Sequence, residues 1–248
     1  MEELRARAEA RGVETHVLGE GEDAAELARE ADADTLGIAG GDGSLAPVAE
    51  VALERNVPFV CVPYGTRNHF ARDLGLDRDD PLAALEAFSG VERRIDVGRA
   101  NGDLFLNNLV LGLYATLVSR REHHRRRRDA LASLRALLVV VRERRREQQF
   151  TVDGMPVQAS VVLVANNAYE LDLFSVGERE RLDEGRLYLY VAHGWHPRRW
   201  EERSGTEYTI EAATTFRAAM DGDPAELDSP LRVSIEPQAL SVLVPPDS

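Results

Sequence analysis

The sequence predicts an α/β protein with two lobes: an N-terminal doubly wound lobe and a second lobe that is mainly an antiparallel β-sandwich. Strand-like and helix-like segments alternate over residues 13–75, which is typical of a parallel sheet covered by helices. Beyond about residue 95, short strands are separated by Gly, Pro and Asp turns, which favours an antiparallel sheet or sandwich. Because no Pro/Gly/Ser-rich linker intervenes, we place the lobes at 1–95 and 96–237, and residues 238–248 are a candidate for rejoining the first lobe.

The first lobe is predicted to repeat a strand followed by a helix. Strands are expected at 13–18, 33–40 and 57–63, and helices at 22–31, 44–55 and 67–75. Pro47 is compatible with the second helix because it falls in that helix's first turn, where its missing N–H is not needed. Thr66 is the expected N-cap of the third helix, and Gly75 is expected to end it.

The second lobe is predicted from short apolar runs bounded by turn residues. Its strands are expected at 94–101, 104–112, 149–154, 157–167, 185–192, 207–216, 231–237 and 240–245. Residues 115–147, between the second and third of these strands, are predicted to form an Arg-rich helical insertion.

The composition excludes several classes of function. The formal net charge of −13 argues against general nucleic-acid binding, and all 30 basic residues are arginine. Without lysine there is neither a Walker A phosphate lysine nor Schiff-base chemistry. The single cysteine, Cys61, excludes an internal disulfide framework and is expected in a buried strand. The charged N-terminus and short apolar runs predict a cytoplasmic chain without a signal peptide or a spanning helix.

The stretch GGDGS, residues 40–44, lies between a predicted strand and a predicted helix. Glycines let the backbone approach an anion closely, and a helix N-terminus adds N–H groups and positive dipole, so the stretch predicts a phosphate-binding loop. Asp42 would repel phosphate unless it holds Mg²⁺ or accepts a proton or hydrogen bond from a substrate hydroxyl. The alternative is a tight turn with a capping aspartate, and as a loop residue Asp42 is expected to pack little.

A second loop of the same design follows about twenty residues later. The stretch VPYGTRNHFARDLGL, residues 62–76, contains Gly65, Thr66 and Asn68 between a strand and a helix. Alone it would be taken for a helix cap. Two such loops at the carboxyl ends of neighbouring parallel strands favour a shared ligand crevice, because that is where such sheets bind ligands.

Together the two loops resemble the diacylglycerol kinase catalytic domain, which is shared by bacterial soluble lipid kinases and by sphingosine and ceramide kinases. Weaker matches are RRIDVG, FLNNLVLG, RLDEGRLYLYV (181–191) and MDGDP (220–224), so the resemblance runs from about residue 13 to the end. It implies a nucleotide-binding first lobe, as in NAD kinases and diacylglycerol kinases, a lipid-substrate second lobe, and use of ATP and Mg²⁺.

The resemblance also implies roles for individual residues. The nucleotide would be bound by Gly40, Gly41, Asp42, Gly43, Ser44, Leu45, Ala46, Gly65 and Thr66, with Asn68 shaping the second loop. Glu184, with the backbone oxygens of Arg181 and Arg186, would hold Mg²⁺. Asp42 and Asp223 would be the catalytic residues, with Asp223 in the place of the family's general base, a glutamate.

The chain departs from the family pattern at four points. The given sequence starts one strand later than the family pattern, so either its start lies downstream of the true one or the first strand with its Asn-Pro-x-x-Gly loop is missing. Leu18 stands where a threonine is usual. Glu184 replaces an aspartate, and Asp223 replaces a glutamate. Because of these departures, one alternative is a catalytically impaired relative that binds lipid or nucleotide. A second alternative is an NAD kinase-like enzyme that phosphorylates a small molecule, because NAD kinases also have a GGDG loop.

The Arg-rich segment 119–147 holds eleven arginines against four acidic residues. Its apolar stripe, which includes Leu131 and Leu138, predicts helices packed by that stripe with the arginines in solvent. The alternative is that Arg125, Arg126, Arg127 and Arg128 dock on an anionic bilayer. The leading hypothesis is therefore a lipid kinase of phospholipid biosynthesis, peripheral at the inner membrane face, with nucleotide and lipid as partners; a homodimer is left open.

Overall fold

The computed structural model describes residues 1–66, 68–112, 148–169, 178–193 and 200–246. The chain divides into two compact units. The first comprises Met1–Asp96 with Gln238–Ser248, and the second comprises Val97–Pro237. The predicted helical insertion at 115–147 lies outside the described residues, and so do the four arginines that were considered for membrane docking.

The first unit is built around a parallel sheet. Its elements are α1 (Glu2–Glu9), α2 (Ala24–Glu30), β1 (Leu36–Gly40), α3 (Asp42–Arg55), β2 (Phe59–Pro63), α4 (His69–Asp73), a 3₁₀ helix (Ala83–Ser89), the start of β3 (Val91–Ala100) and the end of β14 (Leu231–Val244). β1 and β2 run parallel from Leu36↔Phe59 to Gly40↔Pro63, and β14 joins β2 in parallel at Val242. All five residues of β2 are buried, Cys61 included, as expected for a strand covered on both faces.

The strand predicted at 13–18 is wrong. That segment forms neither helix nor strand, and Val17 and Leu18 are exposed. In the order of paired strands, β1 is the terminal strand and its one partner among the described residues is β2. A β-branched composition is therefore not sufficient here, because a strand also needs a neighbour to complete its hydrogen bonds.

Helix α3 begins two residues earlier than predicted, at Asp42 instead of residue 44. Pro47 is thus its sixth residue and lies inside the helix, where its missing N–H leaves one helical hydrogen bond unmade. The helix is held by packing instead, since Leu45, Val48, Ala49, Val51 and Ala52 are all buried on its inner face. It ends at Asn56, which adopts the left-handed conformation with φ 52°.

The second unit contains two antiparallel arrays of strands. They are built from β4 (Asp103–Phe105), β5 (Asn108–Gly112), β6 (Gln148–Val152), β7 (Met155–Ala159), β8 (Val161–Asn166), β9 (Leu187–Ala192), β10 (Trp200–Gly205), β11 (Glu207–Glu211), β12 (Phe216–Met220) and β13 (Asp223–Leu227), with the first part of β14. One array has the order β10-β9-β8-β5-β12-β13, and the other contains β14-β11-β6-β7. One cluster of buried side chains draws on both arrays, with Leu111 and Leu189 from the first and Ile210 and Val233 from the second, which is the core of a sandwich.

Several strand boundaries differ from those predicted. The single strands expected at 104–112, 157–167 and 207–216 are each two strands, namely β4 and β5, β7 and β8, and β11 and β12. The two members of each pair belong to different sheets. Conversely, the two strands expected at 231–237 and 240–245 form a single strand, β14. This strand continues through Pro237 and Gln238, and Gln238 has a φ angle of 48°. No helix among the described residues is long and apolar enough to cross a membrane.

Candidate functional site

The two glycine loops of the first unit lie side by side. β1 and β2 are parallel and end in register, at Gly40 and Pro63, so the loops that follow them leave the same edge of the sheet. A hydrogen bond of 3.0 Å from the Tyr64 N–H to the Gly40 carbonyl joins the two loops where the strands end. The two loops that were expected to share a ligand crevice are thus brought together by strand register.

Two glycines of these loops, Gly40 and Gly65, leave no room for a side chain. A Cβ added at Gly65 would collide with the Cα of Gly41 and would lie 2.7 Å from Oδ1 of Asn68. A Cβ at Gly40 would collide with Oγ of Ser44. Glycine therefore serves here to let one loop touch the other, in addition to leaving the backbone accessible to a ligand.

Asp42 joins the two loops through its side chain. Its carboxylate accepts the N–H of His69 at 3.1 Å and that of Phe70 at 2.9 Å, which are the first N–H groups of α4. The expectation that Asp42 packs little is therefore wrong, because it caps a helix that begins 27 residues further along the chain. A carboxylate at a helix N-terminus is favoured both by the hydrogen bonds and by the helix dipole.

The same contact corrects the expected N-cap of α4. Thr66 is not the cap, since the residue that precedes the helix is Asn68. Asn68 has φ 49°, and its side chain faces back into its own loop instead of capping the helix. Its Oδ1 accepts the Gly65 N–H at 2.9 Å, and its Nδ2 donates to the carbonyls of Gly65 and Arg78.

The remaining residues of the predicted nucleotide set differ in exposure. Ser44, Gly65 and Thr66 are exposed, and Gly40, Gly41, Gly43 and Ala46 are intermediate. Leu45 is buried in the core, so any contact that it makes with a ligand would come from its backbone alone. Ser44 closes the first turn of α3, with its Oγ and its N–H both donating to the Gly41 carbonyl.

The predicted magnesium ligands in the second unit are engaged in hydrogen bonds with a neighbouring segment. Glu184 accepts the Ala168 N–H at 3.1 Å, and its own N–H donates to Oδ1 of Asn167. The Arg186 carbonyl accepts the Asn167 N–H at 3.0 Å, and the side chain of Arg181 pairs with Asp183.

Within the described ranges no group of three or more His, Cys, Asp or Glu residues could hold a metal ion. The predicted magnesium set contains one carboxylate, Glu184, which accepts a backbone N–H on Oε2, and the magnesium site stays a prediction. The visible role of this set is to fasten residues 167–168 to residues 184–186.

Asp223, the predicted base, is the exposed first residue of β13. It pairs across the hairpin with Met220, so the turn between β12 and β13 consists of Asp221 and Gly222 alone. Their φ angles, 50° and 91°, are both positive, as in the two-residue turns that suit a twisted hairpin.

Sequence reasoning missed Asp221, although it stands in the quoted MDGDP. Its carboxylate is buried and accepts three consecutive backbone N–H groups, from Leu106 at 2.8 Å, Asn107 at 2.7 Å and Asn108 at 3.1 Å. Burial raises the pKa of Asp221 to about 6, against the lowering effect of these three bonds and of Arg179. An Asp-Gly pair between two apolar runs signals the turn, but nothing in the pattern signals that the carboxylate faces inward.

Arg179 was also missed. It is buried, and one nitrogen donates to the carbonyls of Leu106 and Asn166 while another donates to Oδ1 of Asn107. Its guanidinium carbon lies 5.2 Å from the ring centroid of Tyr169, within the range of a cation–π contact.

The candidate site residues are divided between the two units. Asp42 and the two glycine loops belong to the first unit, whereas Glu184, Asp221 and Asp223 belong to the second.

Comparison with known proteins agrees with the resemblance seen in the sequence. Residues 1–100 match the diacylglycerol kinase catalytic domain. The chain is 38% identical over 99 residues to a diacylglycerol kinase from Bacillus subtilis, which is 38% of this chain and 33% of that protein. It is 34% identical over 104 residues to a diacylglycerol kinase from Mycobacterium tuberculosis, which is 40% of this chain and 34% of that protein. The matches thus span about a third of the length of these curated relatives, and the predicted resemblance is confirmed.

The fold is shared over the whole chain. A crystal structure of a diacylglycerol kinase from Bacillus anthracis superposes with a TM-score of 0.69 at 18% identity, over 99% of this chain and 92% of that chain. The predicted fold class, an α/β lobe followed by a β-rich lobe, is therefore confirmed.

Proposed function

We propose that the chain is an ATP-dependent lipid kinase that transfers the γ-phosphoryl group to the hydroxyl of a diacylglycerol-like lipid. The observation that carries the proposal is the pair of glycine loops held in backbone contact at the end of β1 and β2, with Asp42 of one loop capping the helix that follows the other. Phosphoryl transfer needs mainly positioning and charge neutralisation, which such a pair of loops supplies. The kinase names of the matched relatives support the same reading.

The first unit would bind the nucleotide phosphates. The first turn of a helix leaves N–H groups without partners inside that helix, and α3 begins directly after Gly41, the glycine that touches the second loop. Exposed Thr66 would add a hydroxyl donor. Asp42 would act by holding the two loops in one geometry, and the Mg²⁺ that accompanies ATP would enter as part of the substrate.

The second unit would supply the base. Asp223 is exposed at the start of a strand whose position is fixed by the buried residue two places before it. An exposed carboxylate can accept the proton of a lipid hydroxyl as the phosphorus–oxygen bond forms. Because aspartate is one methylene shorter than glutamate, we propose that the lipid hydroxyl approaches β13 correspondingly closely.

The acceptor is proposed to be a lipid in a membrane surface instead of NAD. The stretch PYGTRNHFA and the lipid acceptors in the names of the relatives favour this choice, and the arginines of 119–147 would bring a chain of net charge −13 to an anionic bilayer.

The test is phosphate transfer from γ-labelled ATP, with Mg²⁺, to diacylglycerol in phosphatidylglycerol vesicles, with NAD as the competing acceptor. Native chain should label the lipid and leave NAD unlabelled. Asp223→Asn should lose the activity, whereas Glu226→Gln, an exposed acid on the same strand, should keep it. Label on NAD would favour the small-molecule kinase. Nucleotide binding without label on either acceptor would favour the impaired relative.

A further inference from the structure

The segment Leu106–Asn108, which joins β4 to β5 and includes the first residue of β5, is held by side chains from three other parts of the second unit. The carboxylate of Asp221 takes all three of its N–H groups, Leu106 on one oxygen and Asn107 and Asn108 on the other. Successive N–H groups that converge in this way form a concave anion-binding nest. Here the anion is a side chain of the protein itself.

The carbonyl groups of the same three residues are also bonded. The Leu106 carbonyl accepts from Arg179 and from Nδ2 of Asn166. The Asn107 carbonyl accepts the Asn166 N–H at 3.0 Å, and the Asn108 carbonyl accepts the Asp221 N–H at 2.9 Å. All six main-chain polar groups of this segment are therefore satisfied inside the unit, which fixes its backbone as firmly as a strand interior.

The anchoring extends to Asp223 through the shortest hairpin connection. Asp221 and Gly222 are the whole turn, and Met220 pairs with Asp223 across it. Met220 in turn pairs with Leu109 of β5, the strand that begins inside the anchored segment. A carboxylate held two residues before Asp223 thus leaves little freedom for the backbone that carries Asp223.

We propose that Asp221 is a positioning residue, whose carboxylate in the backbone nest of Leu106–Asn108 fixes the place of Asp223; as a statement about catalysis this rests on the proposed function. Arg179 is the charged group that acts on this carboxylate from another segment, and it also holds the far side of the nest through Leu106 and Asn107. Asp221 and Arg179 thus clamp one short segment from both sides.

The decisive variant is Asp221→Asn. A carboxamide has one oxygen where the carboxylate has two, so its NH₂ would point at N–H groups that need an acceptor. A matched control is Asp153→Asn, since Asp153–Gly154 is the same kind of turn with φ angles of 50° and 78°, but its exposed side chain accepts a single N–H, from Thr209. Arg179→Lys is a milder second variant, because lysine cannot reach Leu106 and Asn107 from two nitrogens at once.

Three readouts are compared at a temperature where each variant is folded. Amide exchange at 106–108 should rise about tenfold or more in Asp221→Asn, and the carboxyl carbon resonance of Asp223 should shift. The kcat for lipid phosphorylation should fall about 10- to 100-fold, with KM for ATP changed by less than about twofold because the nucleotide loops belong to the other unit. Arg179→Lys should act in the same direction, and Asp153→Asn should change none of the three.

Native-like exchange at 106–108, or an unmoved Asp223 resonance, in Asp221→Asn would overturn the proposal, as would an unchanged kcat. A native chain without activity on lipid would contradict the proposed function instead. In that case the exchange and resonance measurements still decide whether Asp221 positions Asp223.

Discussion

Asp42 illustrates how one side chain can join two loops that are distant in sequence. It lies in the first turn of α3, yet its carboxylate caps α4. The first loop of the pair therefore depends on the second for its shape, and the second depends on the first for a helix cap. Charge alone would disfavour an aspartate in a loop that is proposed to bind phosphate, and the cap on α4 gives this aspartate a structural role.

Asp42→Asn should lower the free energy of unfolding by about 1–2 kcal/mol, because the carboxamide keeps one acceptor for the two N–H groups at the start of α4. Urea denaturation at pH 7 measures the loss. Asp32→Asn, an exposed aspartate of the first unit, is the control and should be neutral. Equal values for both variants would remove Asp42 from the stability of the loop pair.

Gly65 and Gly41 form a matched pair for testing the contact between the loops. A Cβ at Gly65 collides with Gly41, whereas a Cβ at Gly41 would lie 3.4 Å from Gly65, an ordinary contact. Gly65→Ala should therefore cost about 1–3 kcal/mol, and Gly41→Ala should stay within about 1 kcal/mol of the native chain. Nucleotide affinity should fall with Gly65→Ala. If the two variants melt at the same temperature, the loops do not touch as described.

Asp221 should make stability depend on pH in a way opposite to most carboxylates. Its folded-state pKa of about 6 lies above the ordinary value of 3.8, so the folded chain binds more protons between these two values. The contribution of Asp221 to the free energy of unfolding is fully present below about pH 4 and is lost as the pH rises through about 6. The advantage of the native chain over Asp221→Asn should thus shrink by about 2–3 kcal/mol between pH 4 and pH 7. An advantage that grows with pH would contradict the raised pKa.

At the scale of elements, the loops and their flanking strands could be predicted because strand, glycine turn and helix leave a local pattern. What could not be predicted depends on partners distant in sequence. Thr66 has the composition of an N-cap, but the cap comes from Asp42. Residues 13–18 have the composition of a strand, but no strand pairs with them in the described part of the first unit. The bonds of Asp221 to Leu106–Asn108 span more than a hundred residues, and no spacing rule reaches that far.

The segment 13–18 provides a test at this scale. Because Val17 is 53% exposed and Leu18 is 47% exposed, Val17→Thr with Leu18→Gln should change the free energy of unfolding by less than about 0.5 kcal/mol. Val60→Ala, in the fully buried strand β2, should cost about 2 kcal/mol or more. Denaturation curves compare the two. A large loss from the double variant would mean that these side chains are buried after all.

At the scale of the whole molecule, the distribution of charge is more informative than its sum. Residues 119–147 carry a surplus of seven positive charges, so the remainder of a chain of net charge −13 is strongly acidic. In the proposed docking, an anionic bilayer would repel the acidic remainder and attract the basic segment, and the two forces would orient the approach. The two-lobe fold was predictable because each lobe has its own periodicity, whereas the structural context of residues 113–147 lies outside the described residues.

Replacing Arg125, Arg126, Arg127 and Arg128 by Gln should reduce binding to vesicles that contain anionic lipid. Consecutive residues project around most of a helix, so four arginines in a row cannot all enter a core, where unpaired charge is costly. Binding of the native chain should rise with anionic lipid content and fall with salt, since the screening length is about 10 Å at 0.1 M.

The control for the arginine replacement changes the same number of charges elsewhere: Arg5, Arg7, Arg11 and Arg217, which are all exposed, are replaced by Gln. Both variants carry the same net charge, so a general electrostatic effect would weaken sedimentation with vesicles equally. Docking by residues 125–128 requires a larger loss of vesicle binding from the first variant. Nucleotide affinity should stay unchanged, because the loops proposed to bind phosphate lie in the first unit. If both variants and the native chain sediment equally with vesicles at low salt, residues 125–128 do not bind the bilayer. The proposal of a membrane substrate would then depend on the family resemblance alone.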